Sequence, residues 1–63
     1  MSNKIFTKDG KDYKIIKINS LDNDKVEIHL KNLNNESYET YTEDRQNGEF
    51  YCHIKKTNPE YLV

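Results

Sequence analysis

Apolar and polar side chains alternate along most of this chain, and three turn sequences interrupt the alternation. Each is a pair of residues that tolerates the positive φ angles of a tight hairpin turn. The three pairs are Asp9-Gly10, Asn34-Asn35 and Asn47-Gly48. Together with a polar loop at residues 20–24, these turns divide the chain into five segments. Because a period of two places every second side chain on the same side of a strand, the pattern predicts five short strands in an antiparallel meander.

The first hairpin contains the one irregularity in this pattern. A two-residue turn would place Phe6 opposite Tyr13. Further along the second strand, Tyr13 and Ile15 share one face, whereas Ile16 points to the other. Two adjacent large apolar residues in a half-buried strand indicate a β-bulge or a bend at Ile15-Ile16.

The third strand, residues 25–31, and the fifth strand, residues 50–55, have the most regular patterns. In both, an apolar residue or cysteine occupies every second position, and polar or aromatic residues occupy the positions between. One face of each strand is therefore expected to be buried. The predicted core comprises Phe6, Tyr13, Ile15, Val26, Ile28, Leu30, Phe50, Cys52 and Ile54.

The segment 36–46 allows two interpretations. Its tyrosines and threonines favour a fourth strand with Tyr38, Thr40 and Thr42 facing the core. The alternative is a short helix that begins near Asn35 or Ser37 and ends at Gly48. With the strand interpretation favoured, we expect an all-β or β-dominated fold in a single small domain, residues 1–63. Five short antiparallel strands suit either a small SH3-like barrel or a curled open sheet.

The amino-acid composition indicates the cellular compartment and the kind of genome to expect. A single cysteine allows no intrachain disulfide, and no apolar run resembles a signal peptide or a membrane span. Nine lysines against one arginine, many asparagines and no alanine indicate an AT-rich coding sequence. We therefore expect a cytoplasmic protein of a bacterial host, encoded by a low-GC bacterium or its phages, with no membrane partner.

No recognisable catalytic or metal motif accompanies this scaffold. Neighbouring residues of a strand point to opposite faces, so Cys52 and His53 would not meet one ion or one substrate. Asp22-Asn23-Asp24 lacks the glycine and the bidentate glutamate of a calcium loop. The sequence therefore predicts a protein without enzymatic activity, cofactor or metal site.

The remaining signal is an acidic segment with interspersed tyrosines. Residues 34–50 carry five acidic side chains against Arg45 alone, and exposed aromatic rings surrounded by charge are typical of protein-binding sites. On the five-strand interpretation, His29, Tyr41, Tyr51 and His53 project from one outer face. The predicted partner-binding residues are Glu36, Glu39, Tyr41, Glu43, Asp44, Tyr51 and His53.

Three functions are compatible with these features. The first is a non-catalytic module that binds and inhibits a larger protein with a basic groove, a nuclease for example, as anti-CRISPR-like phage proteins do. The second, less favoured, is a nucleic-acid-binding protein that uses the lysine-rich first hairpin, with Phe6 and Tyr13 as stacking residues. The third is a homo-oligomer that sequesters a small ligand with tyrosine and histidine side chains.

Overall fold

A computed structural model describes residues 4–62 of the chain, so Met1–Asn3 and Val63 of the expected domain lie outside the described residues. Four antiparallel strands form an open sheet in chain order, and a helix packs across one face. The elements are β1 (Ile5–Lys8), β2 (Lys11–Leu21), β3 (Lys25–Asn32), β4 (Ser37–Asp44), α1 (Glu49–Thr57) and a C-terminal 3-10 helix (Pro59–Leu62). The β-dominated fold is confirmed, with four strands instead of five. Because β1 and β4 are the two edges, the sheet does not close into a barrel.

The first hairpin forms as its sequence predicts. Asp9 and Gly10 adopt φ angles of 54° and 76°, which are the positive values of a two-residue hairpin turn. Phe6 lies directly opposite Tyr13, and the two rings stack with centroids 5.5 Å apart. The turn therefore sets the register of the aromatic pair that begins the core.

A bulge interrupts the pairing of β2 with β3, at the position where two isoleucines are adjacent. Ile15 pairs with Leu30 and Lys17 pairs with His29, so Ile16 has no opposite residue. The extra residue changes which positions of β2 face the core: Ile15 is buried, whereas Ile16 is 41% exposed. The predicted irregularity is confirmed.

The central strand β3 supplies the most buried residues of the sheet. Val26, Ile28 and Leu30 are each 0% exposed, because β3 has a paired neighbour on both sides and α1 covers its apolar face. We call the face that packs against α1 the inner face. The alternation predicted for this strand is confirmed.

Strand β4 is present, so a helix within 36–46 is excluded, but its predicted orientation is wrong. Tyr38, Thr40 and Thr42 are exposed, and the residues between them turn towards the inner face. The register explains the difference. Tyr41 lies opposite the fully buried Ile28, and directly opposite residues of an antiparallel pair project from the same face.

The predicted fifth strand is wrong, because Glu49–Thr57 form helix α1. Phe50 and Ile54 are buried as expected, since positions four apart share a face both of a strand and of a helix. The neighbouring positions distinguish the two conformations. Tyr51 is buried, whereas Cys52, which the strand pattern placed in the core, is only half-buried.

The Asn47-Gly48 pair leads into this helix instead of closing a hairpin. Gly48 is the residue that precedes the first turn, with φ −67° and ψ 132°, angles that any residue adopts. Because Gly48 has no side chain, Glu43 and the backbone of Asp44 can lie directly against it. A Cβ atom there would lie 2.5 Å from Oε1 of Glu43 and 2.7 Å from the backbone oxygen of Asp44.

Replacing Ile28 with alanine tests the assignment of the inner face. Because the side chain is fully buried, we expect its truncation to lower the free energy of unfolding by about 2–5 kcal/mol, measured by urea denaturation. The same truncation at Ile16, on the opposite face, should cost less than about 1 kcal/mol. Equal losses at the two positions would contradict the assignment.

Candidate binding surface

The seven residues predicted to bind a partner do not form one surface. Glu39, Tyr41 and Glu43 turn towards the helix side of the sheet, and Tyr51 is 8% exposed within α1. His53 packs its ring against Phe6. His29 lies on the opposite side of the sheet from Tyr41, because their positions alternate across β3 and β4. The expectation that His29, Tyr41, Tyr51 and His53 share an outer face is therefore wrong.

Glu43 stabilises the fold by capping α1. Its carboxylate accepts hydrogen bonds from the backbone N–H groups of Phe50, at 3.2 Å, and Tyr51, at 2.9 Å. These groups belong to the first turn of the helix, where no backbone carbonyl is available as an acceptor. A negative charge at this end also complements the helix dipole. A reversal of this charge would consequently perturb folding as well as any binding.

Glu39 is likewise held within the protein. Its carboxylate accepts a hydrogen bond from the Tyr41 hydroxyl and others from Asn32 Nδ2, at 3.3 Å, and Ser37 Oγ, at 3.4 Å. The bond from Tyr41 is the main reason why the pKa of Glu39 lies below its usual value. The same bond, with burial, raises the pKa of Tyr41 to about 12.

Tyr51 and His53 also have partners inside the molecule. The Tyr51 hydroxyl accepts a hydrogen bond from Arg45 at 3.1 Å, and Arg45 donates a second one to Ser20 Oγ at 2.7 Å. His53 Nε2 lies 2.8 Å from the backbone oxygen of Thr7. These contacts tie α1 to the ends of the sheet.

Glu36 and Asp44 are exposed but lie far apart. Glu36 belongs to the turn before β4, and Asp44 is the last residue of that strand, where it pairs with Lys25. A strand of this length spans about 25 Å at about 3.3 Å per residue. The acidic residues that remain available are therefore divided between the two ends of β4.

The second face of the sheet lies opposite to α1, and no other element within residues 4–62 covers it; we call it the uncovered face. The register of the three hairpins aligns one residue of each strand across this face. Ile5 lies opposite Lys14, which lies opposite Lys31, and Lys31 lies opposite Tyr38. We call these four residues the basic row. At about 4.8 Å between strands, the row is about 15 Å long.

Two like charges are paired in this row. Lys14 and Lys31 occupy directly opposite positions, and neither forms an ion pair within the part of the chain that the structure describes. Lys17, three residues further along β2 and beyond the bulge, lies opposite His29 and adds a third ammonium group. Beside the larger effect of the His29 hydrogen bond, the charge of Lys17 also contributes to lowering the pKa of Glu27. Like charges directly opposite one another destabilise a sheet. The opposed Lys14 and Lys31 therefore carry positive charge that no ion pair among the described residues offsets.

A second lysine pair shows the contrast. Lys8 and Lys11 are also directly opposite, but Lys8 Nζ lies 2.8 Å from a carboxylate oxygen of Asp9 and 3.7 Å from one of Glu49. The charge of Lys8 is thus offset locally. Lys14 and Lys31 form no such ion pair within residues 4–62. An acid of the same face, Asp12, lies two residues before Lys14 and accepts a hydrogen bond from Thr7 Oγ1 at 2.6 Å.

Exposed aromatic and apolar groups accompany the charge. The Tyr38 side chain, expected in the core, is 73% exposed, and Lys31 Nζ lies 5.6 Å from the centre of its ring. Ile5, at the other end of the row, is 48% exposed. Phe6 and Tyr13, expected to stack on bases, are instead buried in the core. The expectations for the site did not include Lys31 and Tyr38.

An acid limits this positive region on one side. Glu27 occupies the position two residues before His29 on β3, and its carboxylate lies 2.7 Å from His29 Nε2 and 3.2 Å from Asn19 Nδ2. The hydrogen bond with His29, followed by the one from Asn19, lowers the pKa of Glu27. The positive end of the uncovered face is therefore the end that carries the basic row.

A cavity of about 330 Å³ lies between β2, α1 and the C-terminal 3-10 helix. Arg45 is one of its cations, but Nε of that residue lies 3.4 Å from Asp24, and its other nitrogens donate to Tyr51 and Ser20. The Arg45 charge is thus offset within the protein. The residues lining the cavity are Lys17, Ile18, Ser20, Arg45, Tyr51, Tyr61 and Leu62.

Among residues 4–62, no group of three or more histidine, cysteine, aspartate or glutamate side chains is placed to hold a metal ion. Asn23 and Asp24, from the calcium-like sequence, adopt φ angles of 61° and 59° in the turn between β2 and β3. Cys52 Sγ donates a 3.4 Å hydrogen bond to the backbone oxygen of Gln46. In the described part of the chain, neither helix is long and apolar enough to cross a bilayer.

Comparisons of the chain with family models, with curated proteins and with solved structures found no match. The chemistry of the uncovered face is therefore the remaining indication of function.

Replacing Glu43 with glutamine tests the cap on α1. The amide has a single acceptor oxygen and no charge, so we expect the free energy of unfolding to fall by about 1 kcal/mol. Replacing the exposed Asp22 with asparagine removes the same charge and should change it by less than about 0.5 kcal/mol. Urea denaturation followed by circular dichroism measures both, and equal stabilities for the two variants would contradict the cap.

Replacing Tyr41 with phenylalanine should raise the pKa of Glu39 towards 4.5, its ordinary value, because its main donor is lost. A lowered carboxyl pKa adds stability that is present above 4.5 and is lost as pH falls through the folded-state value. A raised Tyr41 pKa adds stability that is present below 10.0 and is lost as pH rises through about 12. The stability difference between wild type and variant should therefore be largest between pH 4.5 and pH 10.0.

Carboxyl NMR measures the Glu39 titration directly, and thermal unfolding across pH measures the stability difference. Tyr38→Phe is the control, since that hydroxyl has no hydrogen bond within residues 4–62. A Glu39 titration identical in wild type and Tyr41→Phe would refute the coupling.

Proposed function

We propose that this protein is a non-catalytic module that binds single-stranded nucleic acid on the uncovered face of its sheet. The observation that supports this most directly is the pair of lysines, Lys14 and Lys31, at opposite positions of the basic row, where neither forms an ion pair within residues 4–62. Opposed like charges cost stability, and a domain of about 60 residues has little stability to spare. A bound polyanion would remove that cost.

The shape of the face favours a single strand over a duplex. The basic row lies on an open sheet, and no helix or long loop within the described residues projects from this side to enter a groove. Single strands bind such surfaces through lysine contacts to phosphates and through stacking of bases on exposed rings. Lys14, Lys17 and Lys31 would supply the first, and Tyr38 the second.

The residue types in the basic row indicate binding that depends little on the base sequence of the nucleic acid. Lysine neutralises phosphates as a flexible point charge, and a tyrosine ring stacks on any base. The bidentate contacts that read base edges come from arginine, asparagine or glutamine, and the basic row contains none of these. We therefore expect affinity to depend strongly on salt and weakly on base sequence.

A second candidate is inhibition of a larger protein with a basic groove, a nuclease of a bacterial defence system for example, in the cytoplasm of a bacterial host. The exposed carboxylates of Glu36, Asp44 and Glu49 favour it, because acids on an inhibitor can occupy a site that normally holds nucleic acid. Glu39 and Glu43 would contribute less, since both are engaged within the fold. This candidate predicts that the lysines of the basic row are dispensable.

The test is binding of a fluorescein-labelled oligothymidine of about 12 nucleotides, followed by fluorescence anisotropy over a range of salt concentrations. Replacing Lys14 and Lys31 together with glutamine should remove two phosphate contacts. The slope of log K against log salt should then become shallower by about 1.4, with a clear loss of affinity at low salt. Replacing Tyr38 with alanine should cost about 1–3 kcal/mol of binding without changing that slope.

The control replaces Lys11 and Lys56 with glutamine, which changes the net charge equally outside the basic row. If the control weakens binding as much as the Lys14 and Lys31 variant, the attraction is a property of net charge and the proposed surface is wrong. If the wild-type protein does not bind the oligonucleotide at low salt, the nucleic-acid proposal fails and the inhibitor candidate takes precedence.

A further inference from the structure

The exposed edge of β4 is a long and regular pairing surface. Its inward-facing acids, Glu39 and Glu43, are of the kind that can blunt an edge strand, but both are held within the fold, by Tyr41 and by the start of α1. The strand has eight residues and pairs with β3 without a bulge, and it contains neither proline nor lysine, the residues that most often prevent edge pairing. The opposite edge consists of β1, which has four residues and includes Lys8, and of the part of β2 beyond Ile15, which contains the bulge and Lys17. Of the two edges, β4 is therefore the one suited to accept another strand.

The hydrogen bonds of β4 indicate which backbone groups are available. Arg45 N donates to the backbone oxygen of Asp24 at 2.9 Å, so odd-numbered residues of this segment direct their N–H and C=O groups towards β3. In an antiparallel pair, the alternate residues direct theirs to the other side. The backbone groups of Tyr38, Thr40 and Thr42 therefore point outwards from the sheet.

We propose that two copies of the chain associate by antiparallel pairing of β4 with β4, with Thr40 on the twofold axis. In this register Tyr38 lies opposite the partner's Thr42, and Glu39 lies opposite the partner's Tyr41. Thr–Thr and tyrosine–threonine pairs are favourable across strands. The two sheets become one, and both helices lie on the same side of it.

The charges of β4 select this register over its neighbour. Moving the axis by one residue, to Tyr41, keeps a similar length of paired strand but places Glu39 opposite the partner's Glu43, so two like charges oppose each other on both sides of the axis. Moving the axis to Thr42 shortens the pairing within Ser37–Asp44. Within Ser37–Asp44, the register centred on Thr40 is the longest that opposes no two carboxylates. Asp44 comes opposite Glu36 of the other copy, which lies outside the strand in the turn before β4.

The proposal is independent of what binds the uncovered face. A domain of this size buries little surface alone, and oligomerisation is one of the ways in which such domains gain stability. Pairing through β4 would also leave both basic rows on the same side of the joined sheet, because the twofold axis is perpendicular to it.

Sedimentation equilibrium at protein concentrations up to about 1 mM tests for the dimer. Thr40→Lys would place a lysine opposite its own copy, and the dimer dissociation constant should rise about fivefold or more. Thr42→Lys is the matched control, because it makes the same change at an exposed threonine that faces the partner's Tyr38. Circular dichroism verifies that both variants remain folded.

Disulfide trapping tests the register separately, in a Cys52→Ser background. Opposite residues that exchange hydrogen bonds have Cα atoms about 5.5 Å apart, within the range of a disulfide. Thr40→Cys should therefore crosslink under mild oxidation. The two copies of Thr42→Cys would be about 13 Å apart and should not crosslink.

Three results would overturn the proposal. A wild-type protein that remains monomeric at about 1 mM excludes a stable dimer. A dimer that Thr40→Lys and Thr42→Lys weaken equally uses another surface or register. Equal crosslinking of Thr40→Cys and Thr42→Cys excludes the axis at Thr40.

Discussion

The contact between Glu43 and the start of α1 is the interaction on which the rest of the fold depends. Its carboxylate accepts hydrogen bonds from Phe50 and Tyr51, and the same approach brings the Phe50 ring onto Tyr41, with centroids 4.5 Å apart. Gly48 makes the approach possible by leaving space beside Glu43. Since α1 is the element that covers the inner face, the helix cap, the aromatic contact and the burial of β3 stabilise one another.

Local sequence patterns predicted the first three strands, because the residues that determine each strand and turn there lie within a few positions of one another. The turn at Asp9-Gly10 and the bulge at Ile16 have direct sequence signatures. The helix did not have one, because the spacing of Phe50 and Ile54 is the same on a strand face and a helix face. The carboxylate that favours the helix comes from Glu43, in a different element.

The orientation of β4 was predictable, but from the turn and not from composition. A two-residue turn at Asn34-Asn35 implies that Lys31 lies opposite Tyr38. The turn observed is longer, residues 33–36 with the positive φ angle of 59° at Glu36, but it gives the same register. The prediction that Tyr38 faces the core came from the preference of tyrosine for strands, and it contradicts that register. The basic row was not predicted, because its residues are distant in sequence. Only the registers of three successive hairpins bring Lys14, Lys31 and Tyr38 into line.

The bulge in β2 has a consequence for how the length of this chain can vary. Ile15 and Ile18 both face the core, although an odd number of steps separates them. Ile16 has no paired residue on β3, so its loss would leave every pair of β2 with β3 in place. Loss of a paired residue away from the bulge would instead reverse one half of the strand. The sheet therefore tolerates a deletion at this position, and a strand one residue shorter would form the same core.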